Sequence, residues 1–489
     1  MAQTLPATDP RAVLRRAFGY DGFRPGQEEL VRAVLEGRDA LGILPTGGGK
    51  SVCYQVPAFV VQGLTLVVTP LVSLMEDQVQ RAREVGLRAE CLSGTQSTGT
   101  KRAVKERVQS GEVDLLFVAP ERLELEPFRR LLANVRVGLV AVDEAHCISE
   151  WGHDFRPSYR RIAAVTDGLS CPTLALTASA TPEVRADIGA TLTLRDPLTV
   201  VRSFDRPNLW WAVLPGGSRR GRMKAVHRTL RRLRGVAIVY APTRRTVELV
   251  RDHLAGCGMP VDAYHAGLPG PERSRVQDRF MSGASRIVVA TNAFGMGIDK
   301  ADVRSVLHVQ LPTTLEAYYQ EAGRAGRDGE PSVCIAFHAR ADGSLGRAFL
   351  DGTHPPARTL RRVHRKLRRL AGPNGSVEVD RQEVGRLLGG VPRDWIAGEP
   401  VGILGALERH GSVRRLGEQE GPRIFVHSYP NFSGAVRLRR RAKEKLEAVA
   451  RYARSRGCRR NEILRYFGEA RSDRCGQCDG CGWPVEEGV

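Results

Sequence analysis

Ala40-Leu41-Gly42-Ile43-Leu44-Pro45-Thr46-Gly47-Gly48-Gly49-Lys50-Ser51 carries an apolar run into three glycines, a lysine and a hydroxyl. The run predicts a buried strand over Ala40–Pro45, and the residues after Ser51 predict a helix, the setting that a phosphate-cradling loop requires. In such a loop Thr46, Gly47, Gly48 and Gly49 offer backbone N–H groups to phosphate oxygens. Lys50 reaches the β- and γ-phosphates, and Ser51 ligates Mg2+. ATP and Mg2+ are the expected cofactors.

Outward from this loop, short β-branched runs alternate with polar helical stretches, the rhythm of parallel sheets with crossover helices. A first series holds Ala40–Pro45, Thr65–Pro70, Leu115–Pro120, Val137–Val142 and Thr173–Thr177, and a second holds Val236–Tyr240, Arg286–Thr291, Ser305–Val309 and Ser332–Phe337. Arg202–Pro215, with Pro207, Trp210 and Trp211, is expected to be the linker between them. The fold class is therefore α/β, two parallel-sheet domains whose strand ends face one cleft. Val137–Val142 runs into Asp143 and Glu144, two carboxylates at a strand end facing the loop. Asp143 is expected to hold Mg2+ through water, and Glu144 to polarise the attacking water.

Length and charge bound the rest. A chain of 489 residues is too long for one hydrophobic core. Its formal charge of +20, nearly all from arginine, is the footprint of a protein that neutralises phosphates. Membrane insertion is not expected, because the most apolar stretch, Ala58 to Met75, is broken by Gly63 and Pro70. Six of the ten cysteines stand singly, which argues against a disulfide framework and for a reducing cytoplasm. The other four, Cys458, Cys475, Cys478 and Cys481, are spaced to converge on one tetrahedral ion, expected to be a structural Zn2+. A redox dithiol and an iron–sulfur cluster are the competing readings of four such thiols.

Two longer strings resemble the RecQ helicase family. They are Gly19-Tyr20-Asp21-Gly22-Phe23-Arg24-Pro25-Gly26-Gln27, and the run from Asp143 through Glu144-Ala145-His146 to Glu150-Trp151-Gly152-His153-Asp154-Phe155-Arg156-Pro157. Leu44, where the strict phosphate loop has glycine, is a departure that helicase-type loops share. The resemblance covers residues 10–340 closely and implies two RecA-like domains. It implies that Tyr20 stacks on adenine, Gln27 hydrogen-bonds the base edge and Arg24 assists. In Gln320-Glu321-Ala322-Gly323-Arg324-Ala325-Gly326-Arg327 it implies an arginine finger at Arg327 with Arg324 beside it on the γ-phosphate, and it sets Asp299 near the ribose or Arg327. Trp151, His153, Phe155 and Arg156 interleave aromatics with a cation, which suits stacked single-stranded bases. In the family this loop senses the strand and triggers hydrolysis. Ser73, in Thr69 to Gln78, and the runs Thr177 to Thr181 and Tyr264 to Gly267 set small polar groups at strand ends, able to hold phosphates without reading bases. The cysteine cluster resembles the family's zinc module.

The C-terminal third departs from the usual layout. Residues 341–457 separate motor from cysteines and 482–489 follow them, leaving no room for the winged-helix and HRDC domains that usually come after the zinc. From residue 341 onward the chain carries 29 basic and 18 acidic residues. Arg358–Arg369 holds seven cations on a helix whose Leu360, Val363, Leu367 and Leu370 form the apolar face. Helices over Asp380–Leu388 and Pro400–His410, then strands over Ser412–Leu416 and Arg423–Ser428 joined by Gly417–Pro422, predict a winged helix placed before the zinc module. A purely helical insert is the alternative. The expected division is 1–205, 206–340, 341–435 and 436–489. The family implies an ATP-dependent 3′–5′ DNA helicase acting on single-stranded and forked or partly duplex DNA, and a cytoplasmic monomer is expected. An RNA-directed ATPase and a non-catalytic nucleic-acid scaffold are the other readings.

Overall fold

In the computed structural model the described residues are 9–45, 47–70, 72–94, 96–149, 156–295, 300–378, 403–416, 423–471 and 473–482. They form two compact units. One comprises Met1–Leu311, Glu316–His338 and Ser455–Val489, the other Pro312–Leu315 with Ala339–Arg454.

The first unit contains two sheets. Strands β1 (Ala40–Ile43), β2 (Leu64–Val68), β3 (Ala89–Leu92), β4 (Leu115–Val118), β5 (Val137–Val142), β6 (Thr173–Thr177) and β7 (Leu198–Val201) are ordered β3-β4-β2-β5-β6-β1-β7. All their pairings are parallel. Strands β1, β2, β4 and β6 are buried along their whole length, as expected when helices cover both faces of a sheet. Helix Gln27–Leu35, for example, sends Leu30 and Val34 into this core. Because β6 lies between β1 and β5, the phosphate loop after β1 and the carboxylates after β5 emerge on the same edge.

The second sheet holds β8 (Leu209–Pro215), β9 (Val236–Tyr240), β10 (Asp262–Tyr264), β11 (Ile287–Ala290), β12 (Val303–His308) and β13 (Ser332–His338), ordered β10-β11-β9-β12-β13-β8 and again parallel. Here the structure corrects the expected linker. Residues 209–215 form an edge strand paired with β13 from Leu209 opposite Ser332 to Pro215 opposite His338. Only 202–208 bridges the sheets. Pro207 and Gly216 flank the strand, and its outer side is met by residues 477–479, with the Trp211 N–H on the Gln477 carbonyl at 3.1 Å, so pattern reading misses it. The short strands β3, β7 and β10 also went unread.

The second unit has helices Asp342–Thr353, Ala357–Leu370, Ile403–Arg409 and Ser433–Arg454, with an antiparallel sheet of β14 (Ser376–Glu378), β15 (Val413–Leu416) and β16 (Arg423–Val426), ordered β14-β16-β15. Leu360, Val363 and Leu367 pack with Leu407, Val413, Ile424 and Val426 into one core. Leu370, expected on that apolar face, is exposed at the C-terminal end of the helix, one turn beyond the buried Leu367. A helix followed by the β15–β16 hairpin is winged-helix-like in order. The expected helix Asp380–Leu388 and turn Gly417–Pro422 lie outside the described residues. No helix among the described residues is long and apolar enough to cross a membrane.

Candidate nucleotide cleft and metal centre

The phosphate loop is held by the segment that precedes it. Gln27 is almost fully buried. Its amide donates to the Gly48 and Gly49 carbonyls at 3.0 and 2.9 Å, and its oxygen accepts from the Arg24 backbone N–H at 2.9 Å. Arg24 also hydrogen-bonds the Gly47 carbonyl. Turning those carbonyls toward Gln27 and Arg24 leaves the other face of the loop for an anion. Gly47 and Gly49 adopt φ of 82° and 69°, and a Cβ on Gly49 would stand 2.6 Å from Gln27 Nε2, so only glycine fits there. The base-binding role expected for Gln27 thus meets an amide already committed to the loop. Tyr20 is 54% exposed and stacks on Phe18 with centroids 6.3 Å apart, leaving a ring face for a base. Lys50 is half-buried and Ser51 opens helix Val52–Ala58. Thr46 lies outside the described residues.

Asp143 is buried, with its N–H on the Val68 carbonyl at 2.9 Å and its Oδ1 accepting from the Glu144 N–H at 3.0 Å. Burial first, then the Glu144 charge, pushes its carboxyl up to about 6, against the pull of Lys50. Two close carboxylates in a dry site beside a phosphate loop are an environment that a divalent cation relieves, so these residues fit Mg2+. Glu144 has φ 47°, and its Oε2 lies 3.2 Å from His146 Nδ1. The same ring nitrogen is 2.8 Å from Thr177 Oγ1 at the end of β6. Sequence reading did not foresee that bridge. Tyr159 donates to the Asp143 carbonyl at 3.1 Å and Arg156 to the Pro70 carbonyl at 3.0 Å, so Arg156 ties the C-terminal end of its loop to the segment just after β2. Trp151, His153 and Phe155 lie outside the described residues, as does the Ser73 side chain on helix Val72–Glu84.

The half of the unit built on the second sheet brings Arg327 to this edge. Arg327 Cγ stands 3.7 Å from the point where a Cβ on Gly47 would be, which sets the Arg327 side chain against the phosphate loop of the first sheet. Arg324 is buried, its guanidinium against Gly295, and Gln320 is half-buried on helix Leu315–Ala322. Gly326, at φ 55°, has no room for a Cβ between Asn208, the Glu330 carbonyl and Ser332. Arg206 donates to the carbonyls of Gly323, Ala325 and Gly326 at 3.1, 2.9 and 2.9 Å. Neither Arg206 nor Asn208 stood out in the sequence, because their partners lie more than a hundred residues away. Asp299 lies outside the described residues.

The four cysteines converge, with their sulfur atoms all within 4.8 Å of one another. Backbone N–H groups of Arg459 and Gln477 donate to Cys478 and Cys475 Sγ at 3.3 and 3.4 Å, bonds that orient thiolates and ease their charge when they hold a metal. The Cys475 thiol draws the Cys478 thiol below the usual thiol range, against burial and with help from the Arg459 N–H, while Cys475 itself is pushed up. Four converging sulfurs with no other ligand type fit a closed tetrahedral zinc site.

Family comparisons agree with this geometry. Residues 24–188 match DEAD/DEAH box helicases, 221–329 the helicase conserved C-terminal domain, and 414–482 the RecQ zinc-binding family. The chain is 42% identical to an ATP-dependent DNA helicase RecQ of Pasteurella multocida over 71% of its own length, and spans 55% of that relative. Against a RecQ of Haemophilus influenzae, 35% identical, it covers 96% of itself and 63% of the relative. Against the RecQ of Synechocystis it is 36% identical, covering 96% of itself and 97% of the relative. Among solved structures, Mycobacterium smegmatis helicase Lhr bound to ssDNA and AMP-PNP is similar in fold, with TM-score 0.56, 20% identity, and 88% of this chain and 62% of that one covered. A cleft built from two parallel sheets, followed by a four-cysteine centre and matched end to end by the Synechocystis protein, makes this chain a member of the RecQ helicase family.

Proposed function

We propose that the chain is an ATP-driven DNA helicase that moves 3′ to 5′ along single-stranded DNA and parts duplex ahead of it, in recombination and repair. The observation that carries the reading is Arg327, which comes from the second sheet yet lies against the phosphate loop of the first. A guanidinium supplied across the cleft makes hydrolysis depend on domain closure, so nucleotide turnover becomes movement.

In this reading the loop amides and Lys50 hold the phosphates, and Tyr20 stacks on the base. Gln27 and Arg24 exchange loop carbonyls for the adenine edge when nucleotide enters. Ser51, and Asp143 through water, would hold a magnesium ion, which would supply positive charge to the phosphates. Glu144, steadied by His146, polarises the attacking water. Arg327, Arg324 and Gln320 meet the γ-phosphate from the far side, with Asp299 at the ribose or at Arg327. Trp151, His153, Phe155, Arg156 and Ser73 follow the strand. The zinc module is structural, and the hairpin within 412–428 separates the strands. The division 1–205, 206–340, 341–435 and 436–489 belongs to this reading, although helix Ser433–Arg454 runs through its last boundary.

ATP hydrolysis measured alone, with single-stranded DNA and with RNA, tests the reading, together with strand displacement from substrates tailed at either end. Stimulation by DNA and displacement from a 3′ tail are expected. Stronger stimulation by RNA, or no hydrolysis under any condition, would sink it.

A further inference from the structure

Segment 202–208, the only covalent bridge between the two parallel sheets, is held on one side by residues next to the cysteines and itself holds the turn that ends in Arg327. On the first side, the Phe467 ring stacks on Phe204 with centroids 4.2 Å apart and planes 6° from parallel. Glu469 accepts from the Phe204 N–H at 2.6 Å and from the Ser203 hydroxyl at 2.7 Å. The carbonyl of Phe467 in turn accepts from Arg185, on the helix that follows β6, at 2.9 Å. On the second side, Tyr319 closes a buried three-ring cluster with Phe204 and Phe467, at 5.7 and 5.1 Å, and its hydroxyl donates to the Phe204 carbonyl at 3.0 Å. Two residues further along, Arg206 makes its three bonds to the carbonyls just before Arg327.

We propose that Phe467, Phe204 and Arg206 are positioning residues for Arg327, through which the cysteine-bearing module sets the aim of the arginine that completes the nucleotide site. The proposal rests on the reading of Arg327 given above. A planar guanidinium that collects three carbonyls of one turn fixes that turn as a rigid piece, since each bond is charge-assisted and their directions differ. The ring cluster then fixes Arg206 relative to both sheets, because flat stacked rings resist sliding far better than a single aliphatic contact. An arginine finger works only when its guanidinium stands where charge develops, so a small rotation of the turn lowers turnover without touching the loop that binds nucleotide.

The test uses the full chain. For Arg206→Ala and Phe467→Leu, strand-stimulated kcat, affinity for a fluorescent non-hydrolysable ATP analogue, zinc content and melting temperature are measured. Each change is then repeated with Arg327→Ala. The expected result is a fall in kcat of about tenfold to a hundredfold, with nucleotide affinity within about twofold and one zinc retained per chain. On the Arg327→Ala background the same changes should add less than about twofold, because the residues act through that arginine. Phe467→Tyr, which keeps the stack, should restore most of the rate. An unchanged kcat, a loss that multiplies fully with Arg327→Ala, or a loss that tracks zinc content or nucleotide affinity would overturn the proposal. If Arg327→Ala itself hydrolyses normally, the reading of the cleft fails with it. If Arg327→Ala is dead while Arg206→Ala and Phe467→Leu are normal, only the positioning role falls.

Discussion

Arg459 and Arg460, in the parallel-sheet unit, are 5% and 6% exposed, and each has a fixed partner. Arg459 meets Asp479 at 2.8 and 2.9 Å, while Arg460 donates to the Pro207 and Leu209 carbonyls at 3.1 Å. On helix Ala357–Leu370 of the other unit, Arg358, Arg361, Arg362, Arg365, Lys366, Arg368 and Arg369 all face solvent over a core of Leu360, Val363 and Leu367. A buried arginine is costly unless its carbonyls or carboxylate are waiting for it, so it specifies one geometry. The exposed row, of which Arg368 donates to the Ser428 carbonyl at 2.9 Å, attracts any polyanion in proportion to its charge. Losses in the first unit should therefore be abrupt, and losses in the second graded.

The largest effect should come from the nucleotide edge of the first sheet. Lys50→Ala and Glu144→Gln are expected to lower strand-stimulated turnover by at least about a thousandfold, with Glu144→Gln still binding nucleotide, because holding phosphates and activating water are separate tasks. Turnover near wild type in either protein would remove the site assignment and, with it, the abrupt half of the contrast.

Next in size is the metal centre. Cys478→Ser should purify with well under one zinc per chain and lose about 3 kcal/mol or more of stability around Arg459–Cys481, read as early hydrogen exchange there. Full zinc retention, or iron in the wild-type protein, would count against a structural zinc site.

Deleting 412–428 takes out β15 and β16, and should cut duplex unwinding about tenfold while leaving single-strand-stimulated hydrolysis within about twofold. Equal losses in both assays would show that the hairpin is no strand separator. The smallest effect belongs to the exposed row. Arg361→Ala or Arg365→Ala should each weaken duplex binding by about 0.5 kcal/mol and reduce the slope of log affinity against log salt by about one. A tenfold loss from either one would mean that the row has a specific partner after all.

What could be read from the sequence follows the same division between local and distant causes. Strands 137–142, 173–177 and 236–240 were legible to the residue, because each is a continuous apolar run with a turn at either end. The phosphate loop, the carboxylate pair and the four cysteines were legible because their chemistry sits in short spacings. Strand β8 was not, since an edge strand of mixed Trp and Val beside prolines looks like a linker until its partner β13 is known. Nor were the contacts that orient the site. Thr177 on His146, Arg206 on the turn before Arg327, and Phe467 on Phe204 each join residues at least 31 positions apart, and no periodicity encodes such a pairing. Gln27 was found for its motif, yet its hydrogen bonds to the loop carbonyls became visible only in three dimensions.

Glu144 sits in the left-handed region at φ 47° and ψ 46°, a conformation that disfavours every side chain and costs a glutamate about 1 kcal/mol or more. Glycine would adopt it freely, and His146 would still keep Thr177 at 2.8 Å. A Glu144→Gly protein should therefore melt no lower than the parent while being inert as an ATPase. The side chain proposed to do the chemistry stands where the backbone disfavours it, a trade between endurance and work that is written into a single backbone angle.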